Sequence, residues 1–181
     1  MKPIQLFKTL AVGVTAVGVL AATPALAQNK DYILNTASTG GTYHPVGTAI
    51  ATLSKVKLLP KQKFSLTAVN SAGSGANVQA LGADTAQFAI IQGLFGSYAA
   101  TGTGPVTAPQ TNMRSVSMLW QNVEQFVVAN QYAKTGTAAD LVAMKGMTMG
   151  FGKQNSGTIG SNRVLLKGLG LDMAKDFKLM H

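Results

Sequence analysis

The residues best suited to chemistry in this sequence are glycines, hydroxyls and amides that follow short apolar runs. The first group is the turn Gly40-Gly41-Thr42-Tyr43, which separates the strand-like run 32–34 from a helical stripe beginning at Val46. Glycines let a ligand approach the backbone, and a helix N-terminus offers unpaired N–H groups and a positive dipole end. This turn therefore predicts a site for a small anion such as a carboxylate. An ordinary strand–helix turn without a ligand is the alternative.

Three further turns share this design, in which an apolar run leads through small polar residues into a helical segment. They contain Ser74 and Asn77, then Gln92, and finally the sequence Ser156-Gly157-Thr158. In open α/β sheets, ligands bind at the carboxyl ends of the strands, where such turns gather. We therefore expect the four turns to converge on one polar cleft. Helix capping by Ser74, Ser156 and Thr158 is the alternative role of these hydroxyls.

The residues that catalysis would require are sparse in this chain. It has 2 histidines, 6 acidic residues and no cysteine. Neither His44 nor His181 lies in a motif that places a base beside a nucleophile, and no two carboxylates share a motif for acid–base work. Clusters of His, Asp or Glu with metal-ligand spacing are also missing from the sequence. We predict no enzymatic activity, no catalytic residue, no metal and no cofactor.

The net charge of +9 raises the question of an anionic partner. The lysines are scattered, and the only arginines are Arg114 and Arg163. Basic residues do not alternate with aromatic ones, as they do where bases stack. We therefore interpret the charge as a solvated basic face and predict no nucleic-acid partner.

Residues 1–27 have the pattern of an export signal. Lys2 and Lys8 precede an uncharged apolar run over 10–22, and Ala25-Leu26-Ala27 is a small-residue cleavage site. The run is shorter than the roughly 20 residues that span a bilayer, and the chain has no cysteine for a lipid anchor. We predict cleavage after Ala27 and a monomeric protein of the bacterial periplasm. A retained membrane anchor is the alternative.

From residue 28 onward, strand and helix patterns alternate, which predicts an α/β fold. Strand patterns lie at 32–35, 64–69, 88–91, 116–120, 125–129, 147–151 and 177–180, and helical patterns at 42–55, 76–81, 94–100, 138–141 and 158–169. Residues 101–112 are rich in Gly, Pro and Thr and predict an exposed loop. We expect the hydrophobic core to include Trp120, Met113, Met118, Met144, Met147 and Met149.

The order of the motifs resembles that of a known family, the TAXI solute-binding proteins, which are receptor subunits of one group of TRAP transporters. The resemblance is carried by STGGTYHPVG at 38–47, GSGANV at 73–78, GAD at 82–84, AIIQ at 89–92, GTGP at 102–105 and SGT at 156–158. Each motif is short, but together they cover nearly all of the chain after residue 28. His44 departs from the family pattern, in which an aromatic residue is usual at this position.

The resemblance implies a two-lobed, periplasmic-binding-protein-like (type II) α/β fold that closes on a small carboxylate or amino acid. A glutamate-like ligand or a dicarboxylate is implied, delivered to TRAP membrane permease subunits. The implied ligand contacts are Gly40, Gly41, Thr42, Tyr43, Ser74, Asn77, Gln92, Ser156, Gly157 and Thr158. We expect a first lobe over 28–122, a hinge or crossover over 123–134, and a second lobe over 135–181. That lobe is expected to be incomplete, because family members continue beyond the equivalent of His181. A sensing or interaction module of the same fold, or a fragment without independent function, are the alternatives.

Overall fold

The computed structural model describes residues 28–181 as a mixed α/β structure with two small parallel sheets. The predicted export signal at 1–27 lies outside the described residues. The prediction of an α/β fold is confirmed. Within 28–181, no helix is both long and apolar enough to cross a membrane.

The regular elements alternate along the chain much as the sequence patterns predict. In chain order they are β1 (Lys30–Asn35), α1 (Tyr43–Leu53), α2 (Leu59–Gln62), β2 (Phe64–Val69), α3 (Ser74–Gly82), β3 (Phe88–Ala89), α4 (Gly93–Thr101), β4 (Thr148–Gly150), α5 (Gly157–Gly168), α6 (Met173–Asp176) and β5 (Lys178–Met180). A π-helical segment, Ser54–Leu58, joins α1 to α2, and 3₁₀ helices lie at Asn130–Tyr132 and Ala138–Met144. Helices α1, α3, α4 and α5 each follow one of the four small-residue turns.

The first sheet has the strand order β2-β1-β3, and all of its strands are parallel. Tyr32 is paired with Leu66, and Leu34 with Phe88. Leu34 and Leu66 join Ala51 of α1 in the buried core of this sheet. Parallel strands bring their carboxyl ends to the same edge. The turns after β1, β2 and β3 therefore gather at one edge of the sheet.

The second sheet consists of the parallel pair β4 and β5. Its core is larger than that of the first sheet and includes Leu141, Phe151, Leu166 and Phe177. Helix α5 lies against this core with Leu166 fully buried, and it also contacts α3 and α4. Because α3 and α4 belong to the first sheet, α5 connects the two halves of the structure.

Two strands predicted by the sequence patterns do not form. Residues 116–120 and 125–129 have no regular secondary structure, and no described strand pairs with them. A strand needs a partner for its backbone N–H and C=O groups, so an apolar pattern in the sequence does not by itself produce a strand. Met118 is 89% exposed and Trp120 is 37% exposed, so their expected place in the core is also wrong. Met144 is buried in the core, and Met113, Met147 and Met149 pack against core residues, as expected.

The buried side of α5 can be tested with two neighbouring leucines. Leu166 has no exposed surface, whereas the adjacent Leu165 is 41% exposed. Leu166→Ala is expected to lower the free energy of unfolding by about 2–5 kcal/mol, because a fully buried leucine loses its contacts and leaves a cavity. Leu165→Ala is the matched control and should lower the free energy of unfolding by a clearly smaller amount. Urea unfolding followed by circular dichroism measures both, and equal losses would contradict the described orientation of α5.

Candidate functional site

A cavity of about 310 Å³ lies where the turn before α1 faces the turn before α5. Eight of the predicted ligand-binding residues line it, namely Gly41, Thr42, Tyr43, Ser74, Gln92, Ser156, Gly157 and Thr158. The structure thus brings together residues from all four turns, although ligand contact by these residues stays a prediction. The two other predicted residues, Gly40 and Asn77, lie outside the lining.

One wall of the cavity is formed by the start of α1. The turn closes through a hydrogen bond from the Gly41 N–H to the Ser38 carbonyl, at 3.0 Å. Thr42 precedes the helix, and its side chain makes no capping hydrogen bond. The first N–H groups of a helix have no intrahelical acceptor. Pro45 has no N–H, so the donors at this end of α1 that have no acceptor within residues 28–181 are the N–H groups of Tyr43 and His44 and the Thr42 hydroxyl.

A second wall of the cavity is formed by the start of α5. The Ser156 hydroxyl caps this helix by accepting a hydrogen bond from the Ile159 N–H, at 3.2 Å. A side-chain bond from Asn162 Nδ2 to the Phe151 carbonyl, at 2.9 Å, fixes the preceding turn. Since the cap uses only the Ile159 N–H, the N–H groups of Gly157 and Thr158 remain free for another acceptor.

The close approach of the α5 backbone to Gln92 and Ser74 explains why residue 157 is a glycine. A Cβ at this position would lie 2.5 Å from Gln92 Oε1 and 2.8 Å from Ser74 Oγ. Real carbon contacts of this kind do not occur below 3.0 Å. Glycine therefore lets the backbone of α5 pack directly on the residues that begin α3 and α4.

The first N–H groups of α3 are not available to a ligand, because they already have a protein acceptor. The Asn155 carbonyl accepts hydrogen bonds from the N–H groups of Gly75 and Ala76, at 3.0 and 3.3 Å. Ser74 Oγ accepts a hydrogen bond from the Gln92 N–H at 3.0 Å. The N-terminus of α3 thus holds α5 in place, and only the Ser74 side chain of this helix reaches the cavity.

Asn77 has a structural role in this arrangement. Its side chain is fully buried and donates hydrogen bonds from Nδ2 to the carbonyls of Thr36 and Ile90, at 2.7 and 2.8 Å. These two carbonyls follow β1 and β3, so Asn77 ties the ends of neighbouring strands together. Gly40 is exposed, and a Cβ placed there would have no neighbouring atom of residues 28–181 within 4 Å.

Tyr43 and Trp120 form an aromatic pair beside the cavity, with ring centroids 5.6 Å apart and an interplanar angle of 77°. Burial raises the pKa of the Tyr43 phenol, the nearby Ser74 hydroxyl opposes this effect, and the Glu124 carboxylate adds to it. The phenol therefore stays protonated at neutral pH and can donate a hydrogen bond.

Sequence reasoning missed three polar residues, Asn122, Glu124 and Lys153. Lys153 and Asn122 line the cavity, and Lys153 forms no salt bridge within residues 28–181. Glu124 Oε1 accepts hydrogen bonds from Gln92 Nε2, at 2.9 Å, and from Ser161 Oγ. Lys153 belongs to the glycine-rich turn before α5, which was the available signal for it. Asn122 and Glu124 lie in an irregular segment whose position no periodicity predicts.

The site therefore combines two helix N-termini and a lysine, with the Glu124 carboxylate nearby. Helix α1 has 11 residues and α5 has 12, so each carries a developed dipole. Such an arrangement is suited to holding a small anion. His44 bonds to Thr36 Oγ1 through Nδ1, at 3.1 Å, and does not line the cavity. Within 28–181, no three His, Asp or Glu residues are grouped so that they would hold a metal ion.

A second cavity, of about 660 Å³, borders the contact between α3 and α5. Val78, Phe95 and Ile159 form its apolar wall, while Arg163 and His181 are its basic residues. Ser156 is the one predicted site residue that it shares. Gly75 at the start of α3 also lines this cavity, but its N–H is already bonded to the Asn155 carbonyl. The smaller cavity is lined by the starts of both α1 and α5, and it is therefore the better candidate site.

Parallel sheets and a polar cavity between helix N-termini are consistent with a periplasmic-binding-protein-like fold. The model of the NMT1-like family matches residues 34–181, which is most of the chain. The protein therefore belongs to the NMT1-like family, a periplasmic-binding-protein-like family whose membership suggests a solute-binding role. Comparison with curated proteins gave no match.

The close contact of Gly157 with Gln92 and Ser74 can be tested by substitution. Gly157→Ala is expected to lower the free energy of unfolding by about 1–3 kcal/mol, because the new methyl group overlaps Gln92 and Ser74. Gly168→Ala in the same helix is the matched control, since nothing lies within 4 Å of a Cβ there. It should be neutral or slightly stabilising. Chemical denaturation measures both variants, and equal stabilities would show that α5 does not pack on Gln92 as described.

Proposed function

We propose that the protein is a periplasmic solute-binding receptor that captures a small carboxylate or amino acid in the 310 Å³ cavity. The observation that carries this proposal is the convergence of the N-termini of α1 and α5 on one cavity, together with Lys153. The motifs shared with TAXI proteins support a finer assignment, in which the receptor delivers its ligand to TRAP permease subunits. Membership of the NMT1-like family agrees with a solute-binding role.

The chemistry of the walls explains why a carboxylate would bind. Free N–H groups of both helices and the hydroxyls of Thr42 and Thr158 are donors, and they surround a space lined by Lys153. Hydrogen bonds to a charged group contribute about 1.5–3 kcal/mol each when water is excluded. Donors from two separate helices therefore favour a carboxylate over a neutral ligand of the same size.

Two lobes that close on the ligand are part of this proposal. The first would contain the sheet β2-β1-β3 and the second the pair β4-β5, with the ligand between α1 and α5. The hydrogen bonds from Gly75 and Ala76 to the Asn155 carbonyl would then belong to the closed arrangement. Closure would exclude water and strengthen each polar contact.

The remaining features of the proposal follow from the sequence. We propose export with cleavage after Ala27, a monomeric state, and neither catalysis nor binding of nucleic acid. Delivery to a permease rests on the TAXI resemblance, and co-purification of the exported protein with membrane permease subunits would test it separately from ligand binding.

Lys153 provides the test of ligand capture. Lys153→Gln is expected to weaken binding of a carboxylate about tenfold, because one charge-assisted contact is lost. The ligand is first chosen from a thermal-shift screen of amino acids and organic acids, and affinity is then measured by calorimetry. Emission of Trp120, the single tryptophan, gives a second readout because its ring packs on Tyr43.

Lys167→Gln is the matched control, because the substitution removes the same charge from an exposed lysine in the last turn of α5. It should leave the affinity unchanged. Equal weakening by both variants would show that only the overall charge matters. An unchanged affinity in Lys153→Gln would remove this cavity as the carboxylate site.

A further inference from the structure

The larger cavity, of about 660 Å³, is a separate space from the candidate solute site. The two cavities share Ser156 and no other lining residue. Next to Ser156, the Asn155 carbonyl accepts hydrogen bonds from the N–H groups of Gly75 and Ala76 and so closes the contact between α3 and α5. A ligand in the larger cavity would therefore contact a different set of side chains from a ligand in the smaller one.

Several apolar side chains that line the larger cavity keep surface that a ligand could reach. Ala83, which follows α3, and Pro105, in the loop after α4, are exposed. Val106 and Leu179 are half-buried, and Val106 packs against the buried cluster that contains Phe95. Covering such surface with an apolar ligand is favourable, because it removes apolar area from water.

The part of the cavity that Phe95 lines is preformed. A Cβ at Gly160 would lie 2.5 Å from Phe95 Cε2, and one at Gly75 would lie 3.2 Å from its Cε1. The ring is thus held between the backbones of α3 and α5. A ligand binding here would not have to order this aromatic side chain, which lowers the entropic cost of binding.

Arg163 of α5 gives the larger cavity its charge. Its side chain is exposed, lines the cavity and forms no salt bridge within residues 28–181. The lining includes no Asp or Glu side chain, and Lys153 lines only the smaller cavity. A guanidinium group binds a carboxylate through two parallel N–H donors and is less strongly hydrated than an ammonium group. The larger cavity therefore favours an anion.

The volume and the lining together indicate the kind of anion. Small-molecule sites are typically cavities of about 300–1,000 Å³ with mostly apolar walls and a few polar groups that fix the orientation of the ligand. The larger cavity, at about 660 Å³ against about 310 Å³, can hold a bulkier molecule than the candidate solute site. A small polar carboxylate would leave its apolar surface uncovered, whereas a carboxylate with an apolar body would cover that surface and reach Arg163.

We propose that the larger cavity is a second binding site, for an organic anion that has an aromatic or branched aliphatic body and whose carboxylate contacts Arg163. This inference does not rest on the proposed solute capture, because the two cavities have different lining residues apart from Ser156. The protein would then bind two carboxylates of different kinds, the small polar one beside Lys153 and the apolar one beside Arg163.

The first experiment varies the ligand. Calorimetry on the purified protein compares hydrocinnamate with its neutral amide, which lacks the charge, and with propanoate, which lacks the ring. Hydrocinnamate is expected to bind about tenfold or more tightly than either, because each comparison removes one of the two kinds of contact. Isovalerate is the branched aliphatic probe. No detectable binding of both hydrocinnamate and isovalerate would overturn the inference, and so would equal binding of hydrocinnamate and its amide.

The second experiment locates hydrocinnamate through the charges. Arg163→Gln is expected to weaken its binding about tenfold, because a charge-assisted contact is lost. Lys167→Gln removes the same charge one turn further along α5, outside the lining, and should leave the affinity unchanged. Equal weakening by Arg163→Gln and Lys167→Gln would overturn the inference, as would an unchanged affinity in Arg163→Gln.

A third variant blocks the cavity itself. Ala83→Trp places a large ring at an exposed position of the lining and is expected to reduce the affinity for hydrocinnamate at least tenfold. Ala100→Trp is the matched control, because Ala100 is exposed in α4 and lies outside the lining. A thermal melt checks that each variant folds, and the ligand series and Arg163→Gln decide the inference if Ala83→Trp does not. Unchanged binding in folded Ala83→Trp would contradict it.

Lys153→Gln separates this inference from the proposed function. It should leave the binding of hydrocinnamate unchanged while it weakens the small carboxylate of the other cavity. Weakening of hydrocinnamate by Lys153→Gln and not by Arg163→Gln would place the ligand in the smaller cavity, which would overturn the inference and leave the proposed function intact. Binding of hydrocinnamate that depends on Arg163, without any small carboxylate that depends on Lys153, would support the inference and contradict the proposed function.

Discussion

The close approach of α5 to the beginnings of α3 and α4 is the contact on which the rest of the site depends. At Gly157 the backbone comes so near to Gln92 and Ser74 that no side chain would fit. The Asn155 carbonyl meanwhile caps the N-terminus of α3 through Gly75 and Ala76. These contacts join the two sheets, and they leave the start of α5 facing the start of α1.

This contact also divides the polar groups into those that support the structure and those that remain free. The N-terminus of α3 is used by Asn155, and Asn77 is used to hold the strand ends. Free donors therefore remain mainly on α1, α5 and Lys153. Turns with the same residue types therefore differ in role. An N–H group that is bonded to a protein carbonyl, as at the start of α3, is not available to a ligand.

The irregular segment between α4 and the second sheet places three side chains in or beside the site. It carries Trp120 to Tyr43, Asn122 to the cavity and Glu124 to Gln92 and Ser161. Its apolar residues alternate as in a strand, yet Val116 and Val127 are largely exposed. The segment is held by a few side-chain contacts and not by a backbone ladder, so local periodicity gives no information about where Glu124 lies.

The sequence by itself determined the α/β alternation, the four small-residue turns and the approximate starts of α1, α3, α4 and α5, because these depend on apolar periodicity and on glycine and hydroxyl residues close together in the chain. It also indicated which turns would gather, since parallel strands align their carboxyl ends. Only the tertiary structure decided that Asn77 Nδ2 ties two strand ends together, that Lys153 lines the cavity, and that Glu124 lies beside Gln92. Those outcomes depend on contacts between residues far apart in sequence, and no local pattern specifies which distant acceptor a donor will meet.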